Sequence, residues 1–342
     1  MMRIAVCYNQ TPEYSTHGEI RDRIADSGSY DQAKKVLQAL HQLGHQPELI
    51  PLPSRLSDFL LRLENFAPDL AFNLCEGFWG NAQQEMNVAG IFELLGIPYT
   101  GSSPLCLGLS QDKMRTKSLL IQQGLSTPPF CLAAIGEALP STNGMLYPLI
   151  VKPPYEDASQ GIEAASVVDT PQQLQQRIHY IHKTYRQPAL VEEFIDGKEL
   201  NVAILGENSL TVLPVAEITF AADLPRAIVC FDSKWSPQSA AYLGTVPVCP
   251  AEISAVETSL VTDAALRAFK LLGCRDYARI DIRLRNQSPY ILEVNANPDI
   301  SPDAGLARAA EVAGLAYPQL IEQILECASQ RKELPHAQTA TV

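Results

Sequence analysis

Four polar residues towards the C-terminal end of the chain have the types and the spacing of a cation site. Arg279 and Asp281 are two positions apart in one alternating run, and Glu293 and Asn295 are two positions apart in the next. Residues 285–289 between the runs favour a turn, which predicts an antiparallel hairpin centred near position 287. In that register Arg279 faces Asn295, Asp281 faces Glu293, and all four side chains project from one face.

Two carboxylates and one amide offer only hard oxygen ligands. Such ligands suit magnesium bound together with phosphates, rather than zinc or copper. The neighbouring arginine adds a fixed positive donor for anionic charge that develops during a reaction. The hairpin pattern alone also fits a half-buried hairpin with a solvated polar face.

The first 100 residues alternate between strand and helix patterns. Residues 3–8, 49–52 and 70–74 are short apolar runs, and residues 30–43 carry apolar side chains at helical spacing before Gly44. This order predicts an open α/β domain with a parallel sheet. The polar residues 9–28 are predicted to form a loop.

A glycine-rich loop follows the third of these strands, where ligands bind in open α/β sheets. Glu76 and Asn81 in this loop are candidate contacts for a substrate amine or hydroxyl group. The alternative is a turn that caps the next helix, predicted over residues 82–95.

Several residues farther along the chain suit a nucleotide. Lys113 lies near the start of a predicted helix, and Lys152 ends a predicted strand before the small, polar loop 155–162, so both could meet a polyphosphate. Residues 189–204 predict two strands whose free edge could bind adenine, with Glu199 placed for ribose hydroxyls. Residues 220–241 are predicted to be an irregular loop over the site. GxGxxG and Walker motifs are absent.

The composition describes an ordinary globular chain of 342 residues, 46% hydrophobic and 19% charged, long enough for two or three domains. Its net charge of −12 argues against nucleic acid or an anionic membrane as the partner and favours small molecules. The sequence holds no run of roughly 20 apolar residues. Eight scattered cysteines without CxxC pairs predict reduced thiols and a cytoplasmic location.

These motifs, in this order, resemble the ATP-grasp superfamily over nearly the whole chain. The block from Asn73 to Ser102 is most similar to the D-alanine–D-alanine ligases. The resemblance implies three domains: an N-terminal open parallel α/β domain (1–112), a central small α+β lid domain (113–195) and a C-terminal α+β domain (196–328), followed by a tail (329–342). It also implies a homodimer.

The same resemblance implies the reaction and the residues that perform it. ATP phosphorylates a carboxylate, and an amine then displaces phosphate from the acyl-phosphate to leave an amide. Two magnesium ions, for which manganese could substitute, would bind Asp281, Glu293 and Asn295. Arg279 and Lys234 would be catalytic. The residues implied to contact ATP are Lys113, Lys152, Ser159, Gly161, Glu192, Phe194 and Glu199.

The substrate half departs from the D-alanine ligase pattern. The family's N-terminal glutamate has no counterpart in register within residues 11–28, and Trp235 stands where the family has a tyrosine. Asp299 replaces a glycine that precedes the stretch gripping the second substrate's carboxylate. The candidate substrate contacts are Glu76, Asn81, Trp235, Asn297, Asp299 and Ser301.

We therefore expect a carboxylate–amine ligase whose acid and amine are not two D-alanines, for example one joining an amino acid to a small-metabolite scaffold such as a mycosporine. Two alternatives remain: an authentic D-alanine–D-alanine ligase of cell-wall synthesis, and a non-catalytic nucleotide-binding protein.

Overall fold

A three-stranded parallel sheet forms the N-terminal part of the molecule. The computed structural model describes residues 1–10, 18–142 and 144–331, with residues 20 and 23–27 described by their backbone only. The strands are β1 (Arg3–Asn9), β2 (Gln46–Leu52) and β3 (Leu70–Leu74), in the order β2-β1-β3. Both pairings are parallel, which confirms the predicted open α/β arrangement.

Five helices accompany this sheet: α1 (Arg23–Gln42), α2 (Leu56–Phe66), α3 (Glu85–Leu95), α4 (Pro104–Ser110) and α5 (Lys113–Gln122). Short 3₁₀ helices span Ile20–Asp22 and Ala82–Gln84. The loop predicted for residues 9–28 was therefore too long. Apolar spacing marks only the buried part of α1, whereas its polar first turns carry no such signal. Residues 11–17 of the predicted loop lie outside the described residues.

A second, antiparallel sheet follows, with strands in the order β4-β7-β5-β6. Its members are β4 (Phe130–Ala133), β5 (Leu149–Lys152), β6 (Val167–Val168) and β7 (Ala189–Glu193), and helix α6 (Pro171–Tyr185) packs against it. Thr170 caps α6 and forms a capping box with Gln173. Strand β6 consists of only two residues, because Ala164–Ser166 before it forms a 3₁₀ turn.

The third sheet is also antiparallel, in the order β11-β10-β8-β12-β13, with β9 paired to β8. The strands are β8 (Lys198–Leu205), β9 (Thr211–Val212), β10 (Ala216–Phe220), β11 (Thr245–Val248), β12 (Tyr277–Arg285) and β13 (Ser288–Asn295). The helices are α7 (Phe231–Trp235), α8 (Ala240–Leu243), α9 (Ala255–Leu272), α10 (Gly305–Val312) and α11 (Tyr317–Gln330).

One prediction for this part needs correction. The stretch 220–241, predicted as irregular, contains α7 and the start of α8. In α7 the Ser233 hydroxyl accepts from the N–H of Cys230, the residue before the helix, and α8 is capped by Ser239, which accepts from the Tyr242 N–H. Helix α9 begins at Ala255, because the Ser254 side chain caps it together with Glu257.

Successive side chains along β8 and β12 point to opposite faces of the sheet, one packed in the core and the other facing a cavity. Ile280, Ile282 and Val202 are fully buried in the cluster that α9 completes. Their neighbours Arg279 and Asp281 line the cavity on the opposite face. The period of two in these strands therefore sets which residues are available for chemistry.

The β12–β13 hairpin has the predicted register at its inner end: Arg279 pairs with Asn295, and Asp281 pairs with Glu293. The turn itself is shorter than expected and consists of residues 286 and 287. A β-bulge makes up the difference: Ile282 of β12 pairs with Ile291 of β13, the next residue Asp281 pairs with Glu293, and Leu292 between them is the extra residue. Without the bulge, Glu293 would lie on the core face.

No helix among residues 1–10, 18–142 and 144–331 has the length and apolarity to cross a bilayer. The cysteines are all free thiols.

The turn generates a stability prediction. Asn286 and Gln287 both have positive φ, at 50° and 61°, and such two-residue turns favour glycine at the second position. Gln287→Gly should raise the free energy of unfolding by about 0.5–1 kcal/mol by removing left-handed strain. Chemical denaturation measures this change.

Ser288→Gly is the matched control, because Ser288 is the exposed first residue of β13. Its free energy of unfolding should fall by about 0.5–1 kcal/mol. A similar loss in Gln287→Gly would contradict the role given to the turn.

Candidate active site

Asp281 is held by side chains from three strands on the cavity face. The Arg279 guanidinium donates from Nε to Oδ1 at 2.7 Å and from Nη2 to Oδ2 at 2.8 Å. Asn201 of β8 donates to Oδ1 at 2.7 Å, and Asn295 of β13 donates to Oδ2 at 3.1 Å. This bidentate pair with two supporting amides fixes the carboxylate's position.

The oxygen donors predicted to hold a metal ion face the same cavity. Within the described part of the chain, no three His, Cys, Asp or Glu side chains form a group able to hold a metal. The hairpin instead offers the carboxylates of Asp281 and Glu293 and the amide of Asn295. Since the Asn295 nitrogen donates to Asp281, its oxygen is the atom left for a cation. This set fits a hard cation that phosphate oxygens complete, and the assignment stays a prediction.

Lys113 connects the hairpin to the loop after β5. Its Nζ donates to the carbonyl of Glu156 at 2.7 Å and lies 3.2 Å from Asp157 Oδ1 and 3.7 Å from Glu293 Oε2. Burial opposes the charge on Lys113, but Asp157 and Glu293 outweigh it and raise the lysine pKa. Lys113 therefore keeps its charge at neutral pH.

Neighbouring charges also keep Glu293 ionised, in this case by lowering the pKa of its carboxyl group. Burial alone would raise the pKa of its carboxyl, yet Lys113, Lys152, Lys234 and Arg279 around it lower that pKa to about 2. Glu293 is consequently an anion at any physiological pH.

A buried triad holds the second predicted phosphate ligand. Lys152 Nζ lies 2.8 Å from Glu192 Oε2, and Lys117 Nζ lies 2.7 Å from Glu192 Oε1. Burial lowers the pKa of Lys117 to about 8, although Glu192 works against this effect. The Glu192 carboxylate is thus engaged by two lysines, and its contact with adenosine stays a prediction.

Phe194 and Glu199, the other predicted adenosine contacts, share a partner that the sequence analysis missed. Arg283 Nη2 lies 2.6 Å from Glu199 Oε2, and its guanidinium lies 5.3 Å from the Phe194 ring and 5.5 Å from the Phe220 ring. Burial raises the pKa of Glu199 despite this arginine. The signal for Arg283 was present, because it lies two positions after Asp281 on the same strand.

The loop after β5 places one of its two predicted residues at the cavity. Ser159 lines the cavity, and its Oγ donates to the Val229 carbonyl at 3.3 Å. Gly161 does not line it. A Cβ there would lie 2.9 Å from Pro153 and 3.0 Å from Tyr185, and φ is +71°. In this structure the glycine allows close packing of the loop.

Lys234 and Trp235 of α7 approach this loop from the opposite side. The Trp235 indole donates to the Ala158 carbonyl at 3.1 Å. Lys234 is exposed to the cavity. The surrounding protein lowers its pKa by desolvation, and the nearby Arg279 guanidinium lowers it further.

Glu76 and Asn81, in the loop after β3, line the same cavity. The Glu76 backbone N–H donates to Asn9 Oδ1 at 2.7 Å, and Asn81 Oδ1 accepts from the Gln83 N–H at 2.9 Å. The alternative given for Asn81, a cap on the following helical turn, is thus present, and Asn81 also lines the cavity.

The segment after β13 supplies the remaining predicted residues. Asn297 accepts from the Tyr277 hydroxyl at 2.7 Å and donates to Glu85 Oε1 at 2.9 Å. Asp299 Oδ1 accepts from the Ser301 N–H at 2.7 Å. These contacts fix the conformation of the turn that carries the candidate substrate residues Asn297, Asp299 and Ser301.

One cavity of about 1010 Å³ gathers nearly all the predicted site residues. Among those residues only Gly161 is missing from its lining. Their individual roles stay predictions, supported by this shared location. Those that line it are Glu76, Asn81, Lys113, Lys152, Ser159, Glu192, Phe194, Glu199, Lys234, Trp235, Arg279, Asp281, Glu293, Asn295, Asn297, Asp299 and Ser301.

Comparison with known proteins shows which family has this arrangement. The family model described as the D-ala D-ala ligase C-terminus matches residues 124–326. The chain belongs to the D-alanine–D-alanine ligase family. It is accordingly an ATP-dependent carboxylate–amine ligase with the ATP-grasp fold, and it uses ATP and a divalent metal.

Full-length relatives agree with this assignment to the D-alanine–D-alanine ligase family. The chain is 36% identical to an uncharacterized protein, y4sG, of Sinorhizobium fredii, over 95% of this chain and 91% of the relative. It is 32% identical to a D-alanine–D-alanine ligase of Desulforudis audaxviator, over 89% and 94%. The D-alanine–D-alanine ligase of Bacillus anthracis in complex with ATP has a similar fold: TM-score 0.75, 24% identity, coverage 96% and 98%.

A buried carboxyl group in the cavity wall of this ligase was not predicted. Glu85, which is 3% exposed, accepts from Asn297 and from Gln111 Nε2 at 2.8 Å. Burial raises the pKa of Glu85 to about 8, although both amide donors lower it. The Gln111–Glu85 contact spans 26 positions, so sequence spacing gave no sign of it.

This carboxyl group generates a pH prediction. The folded chain keeps the Glu85 proton up to about pH 8, whereas the unfolded chain loses it near 4.5. Between these values the unfolded state binds fewer protons, so the stability of the wild type should fall as pH rises, by at most about 5 kcal/mol. Glu85→Gln lacks this dependence. The measurement is the difference in unfolding free energy between the two proteins at pH 5, 6.5 and 8.

Subtracting the variant from the wild type at each pH cancels the titration of all other groups. We expect Glu85→Gln to gain stability relative to the wild type towards pH 8. A difference that stays constant with pH would contradict the raised pKa.

Proposed function

We propose that this ligase joins a carboxylate to the amine of an amino acid or related small molecule through an acyl-phosphate, and that the two substrates are not both D-alanine. The observation that carries the reaction is the cavity face of β12 and β13, where Arg279, Asp281, Glu293 and Asn295 lie together beside Lys113. Basic side chains that can bind an anion and oxygen ligands that suit a hard cation therefore lie side by side on this face.

The first step requires two anions to meet. An oxygen of the donor carboxylate bonds to the γ-phosphorus of ATP, and the bond from that phosphorus to ADP breaks. Lys113 and Lys152 are both buried and each forms an ion pair, with Asp157 and Glu192 respectively. Their positive charges would offset the repulsion between the carboxylate and the triphosphate. Asp281, Glu293 and Asn295 would hold magnesium, in our proposal two ions for which manganese could substitute, and the metal would supply further positive charge near the phosphates.

The second step consumes the acyl-phosphate. The amine nitrogen bonds to the acyl carbon, the carbon–oxygen bond to phosphate breaks, and the nitrogen loses a proton, which leaves an amide. Arg279 would stabilise the oxyanion of the tetrahedral intermediate, because Asp281 holds its guanidinium at the cavity face. Lys234, exposed in the same cavity, would add a second cation.

The substrate proposal is supported by Asp299, which lines the cavity at a position where the family resemblance implies a glycine. Its carboxylate would repel an incoming carboxylate at that point. The second candidate is an authentic D-alanine–D-alanine ligase, favoured by 32% identity over 89% of the chain to a relative of that name. A homodimeric state and a cytoplasmic location remain parts of the proposal.

ADP release tests the substrates. Wild-type protein with ATP and magnesium should release ADP only when a suitable acid and amine are both present. D-alanine alone, which can serve as both, should give at most a small stimulation. Strong stimulation by D-alanine would instead establish the second candidate, and no stimulation across a broad panel of acids and amines would refute the ligase proposal.

Asp281→Asn tests the hairpin. The substitution removes one charge from both the Arg279 pair and the cation ligands, so ADP release should become at least about 100-fold slower. Asp263→Asn, on the exposed face of α9 with a side chain 67% exposed, is the matched control and should match the wild type. Equal rates of ADP release in the two variants would show that the Asp281 carboxylate is not needed for the reaction.

A further inference from the structure

Lys117 is a buried lysine that the proposed reaction does not use. It lies on α5, one helical turn after Lys113, and its side chain is 0% exposed. Lys117 is not among the described residues that line the cavity. It does contact Glu192, which lines the cavity and in turn contacts Lys152. An effect of Lys117 on a bound nucleotide therefore has to pass through these two side chains.

The Lys117 ammonium group is held between the second and the third sheet. On one side its Nζ lies 2.7 Å from Oε1 of Glu192, on β7 of the second sheet. On the other side it donates to Thr127 Oγ1 at 2.8 Å. The Thr127 hydroxyl donates at 2.7 Å to the carbonyl of Ile291, on β13 of the third sheet. The position of the ammonium group is therefore set by contacts with both sheets.

The two lysines and Glu192 together leave one positive charge. Within the described ranges, Glu192 supplies the only carboxylate within 4.0 Å of either lysine. Burial favours the neutral form of Glu192, but Lys117 and then Lys152 outweigh it and lower the pKa of the carboxyl group. A buried carboxylate with a single lysine beside it would hold that lysine, because their separation would leave a buried charge unpaired. The second lysine removes this constraint.

We propose that Lys117 is a positioning residue for ATP, which holds and neutralises the Glu192 carboxylate so that Lys152 is available to the phosphates. The inference rests on the proposed role of Lys152 as a phosphate ligand. When a nucleotide binds, Lys152 exchanges its contact with Glu192 for a phosphate oxygen. Glu192 keeps Lys117 as its partner, so the exchange leaves no buried carboxylate unpaired.

The experiment measures how much the phosphates contribute to nucleotide affinity. Calorimetric titration with magnesium, but without acid or amine, gives the dissociation constants of a non-hydrolysable ATP analogue and of adenosine. The ratio of the two constants isolates the phosphates. The titration is done at pH 7, where Lys117 is charged because its pKa is about 8.

In Lys117→Met, Glu192 is left with Lys152 as its partner and holds it away from the phosphates. The ATP analogue should therefore bind roughly 10- to 100-fold more weakly than to the wild type. Adenosine has no phosphates and should bind as it does to the wild type. Lys35→Met, at an exposed lysine of α1 that does not line the cavity, is the matched control and should keep both affinities.

The double variant Lys117→Met/Glu192→Gln tests whether Glu192 mediates the effect. Glutamine has the shape of glutamate without its charge, so Lys152 is released again and the ratio should return to the wild-type value. A double variant that binds the analogue as weakly as Lys117→Met would overturn the proposal. Equal losses for the analogue and adenosine in Lys117→Met would also overturn it, because Lys117 would then serve only the fold.

Glu192→Gln alone decides the matter if Lys117→Met does not fold. It leaves Lys152 without a carboxylate to hold it, so the analogue should gain affinity relative to adenosine or keep its wild-type ratio. A lower ratio in Glu192→Gln would reject the proposal, because Glu192 would then assist Lys152 rather than restrain it.

These titrations need no turnover, which separates the inference from the ligase function. The expected ratios in a protein that releases no ADP with any acid and amine would support the role of Lys117 and reject the ligase proposal. An unchanged ratio in Lys117→Met, in a protein that does release ADP, would reject only the role of Lys117.

Discussion

The structure depends on keeping several cations charged inside a protein. A lysine removed from water tends to lose its charge, whereas an arginine stays charged, and either buried charge destabilises the fold unless a carboxylate or other hydrogen-bond acceptors lie beside it. Lys113, Lys152, Arg279 and Arg283 each have such a partner. The contacts of Lys113 with Asp157 and Glu293 connect α5 to the loop after β5 and to β13, whereas the other three pairs each lie within the second or the third sheet.

The third sheet fixes the positions and orientations of several of these charged side chains. Arg279, Asp281 and Arg283 of β12 line the cavity, whereas Ile280 and Ile282 are fully buried against α9. Strands β8 and β13 flank β12, so Asn201 and Asn295 approach Asp281 from either side. Because a strand cannot rotate without exposing its apolar face, the hydrophobic core fixes the orientation of the charged groups.

Patterns of short range were predictable from the sequence, and contacts between distant segments were not. The parallel sheet, the Thr170 cap and the pairing of Asp281 with Glu293 follow from spacing and local chemistry. Glu85 and Gln111, 26 positions apart, meet only through folding. The extra residue in β13 had no local signal, because a bulge depends on both strands.

That extra residue divides the hairpin into two mechanically separate segments. Between the bulge and the turn, the strands pair in one register, and beyond Asp281 they pair in another. Slippage or a change of length at the tip can be absorbed at Leu292 before it reaches the inner pairs. Insertions and deletions among homologous ligases should therefore be tolerated at the tip of this hairpin and be rare on the catalytic side of Leu292.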